Sequence, residues 1–141
     1  MKTKLLLLIL VLASVLKAEV SQNLLGTWII DKEATTKEFK NIPKEPKLSD
    51  KRIVSVLNRM SNISHVLTKE SFKLLMAGRE RASLKVIGQK ELGGNKVIEV
   101  TTSQKGKEIK ISLTFVPRDN GSFIIKSSQT NDMDYLVWKK K

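Results

Sequence analysis

The residues with the widest chemical repertoire are few in this chain. His65 is the only histidine, and Ser64 stands directly before it. An imidazole and a hydroxyl can begin a nucleophilic apparatus. That apparatus needs the base within hydrogen-bond reach of the nucleophile and an acid to orient it. Neighbours on a strand point to opposite faces, so the adjacency of Ser64 and His65 does not supply the geometry. No G-x-S-x-G stretch occurs. GGNK, residues 93–96, is rich in glycine but joins two strand-like segments and does not open a helix, so it does not read as a phosphate loop. The chain has no cysteine, which removes disulfides and thiolate metal sites. Asp132 and Asp134 are a close acidic pair, and their spacing in a turn fits a strand end better than a metal site. The expectation is no catalytic residue, no metal, no cofactor and no enzymatic activity.

What remains is recognition chemistry. Arg79 and Arg81 follow a turn at Gly78 and would meet an anionic headgroup there, or simply be solvated. The aromatic residues Trp28, Phe39, Phe72, Phe115, Phe123, Tyr135 and Trp138 would plug a core or line a site for an apolar ligand. His65 falls in phase with Ile63 and Leu67, which favours a partly buried histidine with a hydrogen-bond partner.

These side chains must be held by a single domain, because the chain has 141 residues. Residues 1–18 read as an export signal. Lys2 and Lys4 are followed by an apolar or small run from Leu5 to Leu16, then by Lys17 and Ala18. As a helix that run would reach about 18 Å, short of a bilayer core of roughly 30 Å. Without a cysteine the cleavage point cannot carry a lipid anchor. The same absence in an exported chain leans towards a bacterial envelope protein, periplasmic or secreted. Residues 19–141 would then form the folded domain. The whole chain carries a net charge of +12, and removing Lys2, Lys4 and Lys17 lowers it to +9. Such a balance favours acidic partners or an anionic membrane surface, or marks a solvated lysine surface. Export argues against nucleic acid.

The patterning changes once along the domain. Gly26 to Ile30 reads as a strand, and Asp31 as the cap of a short helix. Pro43 and Pro46 interrupt the chain. Ser49 caps a clear helix in which Ile53, Val56, Leu57 and Met60 share one face. The helical insertion spans about 32–61. From residue 63 onward the alternation has period two. Strands are expected at 63–68, 71–76, 81–92, 96–103, 108–117, 122–128 and 133–140, joined by short turns, with a bulge marked by Gly88. Eight short strands with turn signals predict a mainly β fold, an antiparallel up-and-down meander forming a closed or partly open barrel.

Gly26-Thr27-Trp28 in a first strand resembles the G-x-W signature of the calycins, the lipocalins and fatty-acid-binding proteins. The layout, with helices after the first strand and a meander after them, resembles the fatty-acid-binding group. The domain as a whole is similar to small exported bacterial proteins described as lipocalin-like. The lipocalin T-D-Y turn is missing, and Asp134-Tyr135 stands on the last segment instead. The resemblance places an arginine over the motif tryptophan near the chain end. Here Lys139 and Lys140 stand in that region, so a lysine would have to cover Trp28. No Arg-x-Tyr triplet is present to clamp a carboxylate.

Two functions follow as expectations. The first is a non-catalytic, lipocalin-like binder of a small hydrophobic or amphiphilic ligand. Its site would be formed by Trp28, Phe72, Leu74, Met76, Leu84, Val86, Ile111, Leu113 and Phe115, with Arg79 and Arg81 at the mouth. Ile98, Val100 and Ile109 belong to the same inward set. The second is a dry barrel whose basic surface binds an acidic partner or the membrane face.

Overall fold

The computed structural model describes residues 19–43 and 48–141. The export-signal reading of residues 1–18 and the break at Pro46 lie outside the described residues. Eight strands pair in chain order and close into one antiparallel barrel. They are β1 (Gly26–Ile30), β2 (Ile63–Leu67), β3 (Ser71–Met76), β4 (Arg79–Leu92), β5 (Asn95–Gln104), β6 (Lys107–Pro117), β7 (Phe123–Ser127) and β8 (Val137–Lys140). Two helices, α1 (Lys32–Lys40) and α2 (Asp50–Met60), lie between β1 and β2. None of the helices among the described residues is long and apolar enough to cross a membrane.

Local chemistry accounts for the element boundaries. The Asp31 carboxylate accepts from the Ala34 backbone N–H at 3.0 Å, and the Ser49 hydroxyl from that of Arg52 at 3.3 Å, so both expected caps form. Ile53 and Leu57 are the buried face of α2 and join the core inside the barrel. At Ala77-Gly78 both residues have positive φ, 51° and 76°. This is the turn geometry that suits a two-residue hairpin, so Met76 pairs directly with Arg79. Strand β4 therefore starts two residues before the expected 81. The bulge at Gly88 is present, as a shift in register between Val86 and Gly88. The last strand is shorter than the expected 133–140. Asp134 and Leu136 donate their backbone N–H groups to Asn131 and Met133, at 3.2 and 3.1 Å. Those local turns withdraw the backbone from the ladder until Val137.

The inner face is traced by cross-strand pairs, because residues directly opposite each other share a face. Trp28 pairs with His65, His65 with Leu74, and Leu74 with Ala82. Leu67 pairs with Phe72 and Phe72 with Leu84. Val86, Val100 and Ile111 form another row, and Phe123 pairs with Trp138. Aromatic rings fill one part of this interior. The Trp28 ring meets Phe123 edge-on at 5.4 Å and Phe115 at 6.4 Å between centroids. Edge-to-face contact aligns positive ring edges with negative faces and adds to the stabilisation from burial. The segment before β1 closes the end of the barrel where β1 begins. Val20 and Leu24 are buried, and the Trp28 indole N–H donates to the Leu24 carbonyl at 2.9 Å. Gly26 has φ of +133°, a conformation that a side chain would strain. It lets the chain turn from this plug into the first strand.

Helix α1 buries two side chains, Phe39, which joins the core, and Thr35, which ties the helix to β8. The Thr35 hydroxyl accepts from the Val137 N–H at 3.0 Å and donates to the Val137 carbonyl at 3.4 Å. Thr35→Val keeps the shape and leaves the Val137 N–H unpaired in a buried place, while the Val137 carbonyl keeps the Asp31 N–H at 2.8 Å. The expected loss is about 1–3 kcal/mol, read as a lower urea midpoint with unchanged slope. An unchanged midpoint would show that the tether carries no stability.

Candidate functional site

The barrel is closed, yet its sheet forks at one point. Pairing between β4 and β5 begins at Lys85–Thr101. Beyond that pair, Arg79 to Leu84 follow β3 alone, while Thr102 to Gln104 follow β6 alone. Long strands diverging from short neighbours leave inner-face side chains without a cover. Ala82 is exposed, and Leu74, Leu84, Val86 and Ile109 are half-buried although all lie on the inner face. Met76, at the rim, is 41% exposed. In contrast Trp28, Ile98, Val100 and Phe115 have no accessible surface. The fork thus leaves apolar inner-face side chains accessible, while the aromatic floor of the barrel stays covered.

The expected site residues divide along this line. Trp28, Phe72, Ile111, Leu113 and Phe115 are buried within the barrel. Leu74, Met76, Leu84 and Val86 stay reachable at or near the fork. Arg79 and Arg81 are exposed at the β3–β4 hairpin, on the arm that forms one lip of the fork. Arg79 faces Met76 in the ladder, and Arg81 is the unpaired residue of a bulge between Leu74 and Leu75. Lys140 covers Trp28, its ammonium 5.6 Å from the ring centroid, in the place where the calycin resemblance sets an arginine.

His65 departs from expectation. It is 4% exposed, and neither ring nitrogen has a hydrogen-bond partner. The ring stacks on Phe72 at 5.0 Å and meets Trp138 edge-on at 4.4 Å. Removal from water disfavours the charged imidazolium and lowers its pKa from 6.5 to about 4. The imidazole is therefore neutral at physiological pH. Ser64 lies next to it in sequence and is not bonded to it.

Gln89 is a polar group on the inner face that the sequence reading did not place there. The bulge at Gly88 shifts the alternation by one, so Gln89 follows Val86 inward and pairs with Ile98. Its amide accepts from the Ser21 N–H at 2.8 Å and donates to the Ser21 hydroxyl at 2.9 Å. It pins the plug and does not face the fork. Carrying the parity change through Gly88 was the signal that locates it. On the outer face, Glu99 contacts Lys90 at 2.9 Å and accepts from Ser112 at 3.1 Å. The hydrogen bond from Lys90 is the main cause that lowers its pKa. These residues border an open groove of about 510 Å³. No group of acidic, histidine or cysteine side chains able to hold a metal ion is found among the described residues.

The fold and site together define a closed, eight-stranded antiparallel β-barrel, consistent with a lipocalin-like architecture, with apolar inner-face side chains accessible where β4 leaves β5. Compared with known proteins, the chain matches no family model, no curated protein and no solved structure.

Proposed function

We propose that this protein is a non-catalytic, lipocalin-like carrier, exported to the periplasm or beyond, that binds a small hydrophobic or amphiphilic molecule at the β4–β5 fork. One observation carries the reading: inner-face apolar side chains of a closed barrel remain accessible there, at Leu74, Ala82, Leu84 and Ile109. Ligand sites are concave and mostly apolar with few polar groups, and exposed apolar surface on an inner face has no packing role to account for it. Arg79 and Arg81 on the adjoining arm supply positive charge for an anionic end of an amphiphile.

The test is displacement of a fluorescent apolar reporter, 1-anilinonaphthalene-8-sulfonate, with native mass spectrometry of the purified protein alongside. The expected result is saturable binding at one reporter per chain. Leu84→Asp places a charge among the accessible apolar side chains of the fork and should weaken binding at least tenfold while leaving the β-sheet signal unchanged. Equal affinity in the variant would sink the reading.

The aromatic floor supports a second reading. If Trp28, Phe115 and Phe123 fill the barrel and nothing enters, the lysine-rich exterior is the working surface, and an acidic partner or an anionic membrane is its target. Binding of the protein to anionic vesicles would then fall steeply between low and physiological salt, because exposed charges are screened. Reporter uptake at the fork would change little over the same range.

A further inference from the structure

Among the described residues, three buried side-chain polar atoms lack a hydrogen-bond partner, and they belong to only two side chains. They are Nδ1 and Nε2 of His65 and Nε1 of Trp138. The two rings are 4.4 Å apart, and both side chains are almost wholly buried, at 4% and 1% exposure. Buried polar groups are normally satisfied, and each orphan is costly. Two such side chains touching each other inside an apolar barrel form one unsatisfied polar spot.

We propose that His65 and Trp138 form a polar anchor for the hydroxyl group of a neutral, long-chain ligand. This rests on the carrier reading above and names the chemistry of what is carried. The bonding capacities select the group. Neutral imidazole offers one N–H and one bare nitrogen, and the indole offers one N–H. A hydroxyl oxygen accepts from an N–H and its proton goes to the bare nitrogen. A carbonyl only accepts, which leaves that nitrogen unpaired. A carboxylate adds a charge to an apolar interior. The lowered pKa of His65 keeps the imidazole in the neutral form that this pattern requires.

The anchor lies on the same inner-face row as the opening. His65 faces Leu74 across the ladder and Leu74 faces Ala82 at the fork. Two strand spacings make this about 10 Å, a distance that an alkyl chain spans along the apolar row. An ordered water can also accept from an N–H and donate to the bare nitrogen, so the experiment separates the two sources.

Competition against the same reporter compares 1-decanol with n-decane, in the wild type and in His65→Leu and Trp138→Phe. The wild type should bind the alcohol about tenfold more tightly than the alkane, the worth of one good buried hydrogen bond. The preference should vanish in both variants. In ¹⁵N-labelled wild type the Trp138 indole N–H resonance, assigned by its loss in Trp138→Phe, should shift with decanol and stay with decane. This readout does not depend on how well the variants fold. An indole resonance that decanol leaves in place marks a water-only site and overturns the anchor. Equal binding of alcohol and alkane overturns the anchor while the carrier reading stands. If neither molecule displaces the reporter, the carrier reading fails and the anchor with it.

Discussion

Trp28→Ala should lower the stability of the protein by about 3–5 kcal/mol, the range for removing a large aromatic side chain from a packed core. Trp28 has no accessible surface. Its ring is held by Phe115 and Phe123, and its N–H by the Leu24 carbonyl at 2.9 Å. Alanine removes all of these and leaves a cavity with rigid walls. A domain of this size is stable by roughly 5–15 kcal/mol, so the loss is a large share of the whole. The midpoint of thermal unfolding should fall by on the order of 10–20 °C. Trp28→Phe keeps an aromatic body and loses the hydrogen bond, so it should fall well short of the alanine effect. A loss under about 1 kcal/mol for alanine would mean that the plug and the barrel floor are not joined through this side chain.

The second large effect is a dependence on pH that belongs to one residue. The His65 pKa lies at 6.5 when unfolded and about 4 when folded. Between those values the unfolded chain binds the proton and the folded chain does not. Stability is therefore full above pH 6.5, falls as the pH is lowered, and stops falling near pH 4. The full shift corresponds to about 3 kcal/mol, with about 2 kcal/mol lost by pH 5. The lowered pKa of Glu99 acts further down, below the ordinary carboxylate range, so the interval from pH 6.5 to 5 reports on His65. Urea unfolding at pH 7.5 and pH 5 should show the loss in the wild type and little of it in His65→Leu. Removing both the donor and the acceptor of a buried, unpartnered ring is also expected to leave stability at pH 7.5 nearly unchanged. An identical pH response in the two proteins would place the titration elsewhere.

Much of the architecture was legible along the chain because it is written in local chemistry. Ile109, Ile111, Leu113 and Phe115 alternate over one strand, and Asp31 and Ser49 cap their helices through their own side chains. Gly88 marked a bulge that the structure contains. Alternation and capping depend on residues a few positions apart, so a linear reading reaches them. It failed at Met133–Leu136, where apolar residues suggested a strand and backbone turns won the hydrogen bonds. It failed also at Gln89, whose face depends on counting through a bulge.

The candidate site was less legible, for a different reason. Leu74, Leu84 and Val86 could be assigned to an inner face from period two. That face would be covered or open depending on where β4 stops pairing with β5, and the pairing length depends on both strands and their other neighbours. The meeting of His65 with Trp138 is further still from local control. It arises because β8 returns to β1, which brings the chain end beside β2. Residue types and spacing were enough to establish a meander of strands, two capped helices and a mostly apolar inner face. Closure of the barrel, the fork and the unsatisfied polar spot came from register between distant strands. Register is set by the packing of the whole interior at once, and no short stretch of sequence contains it.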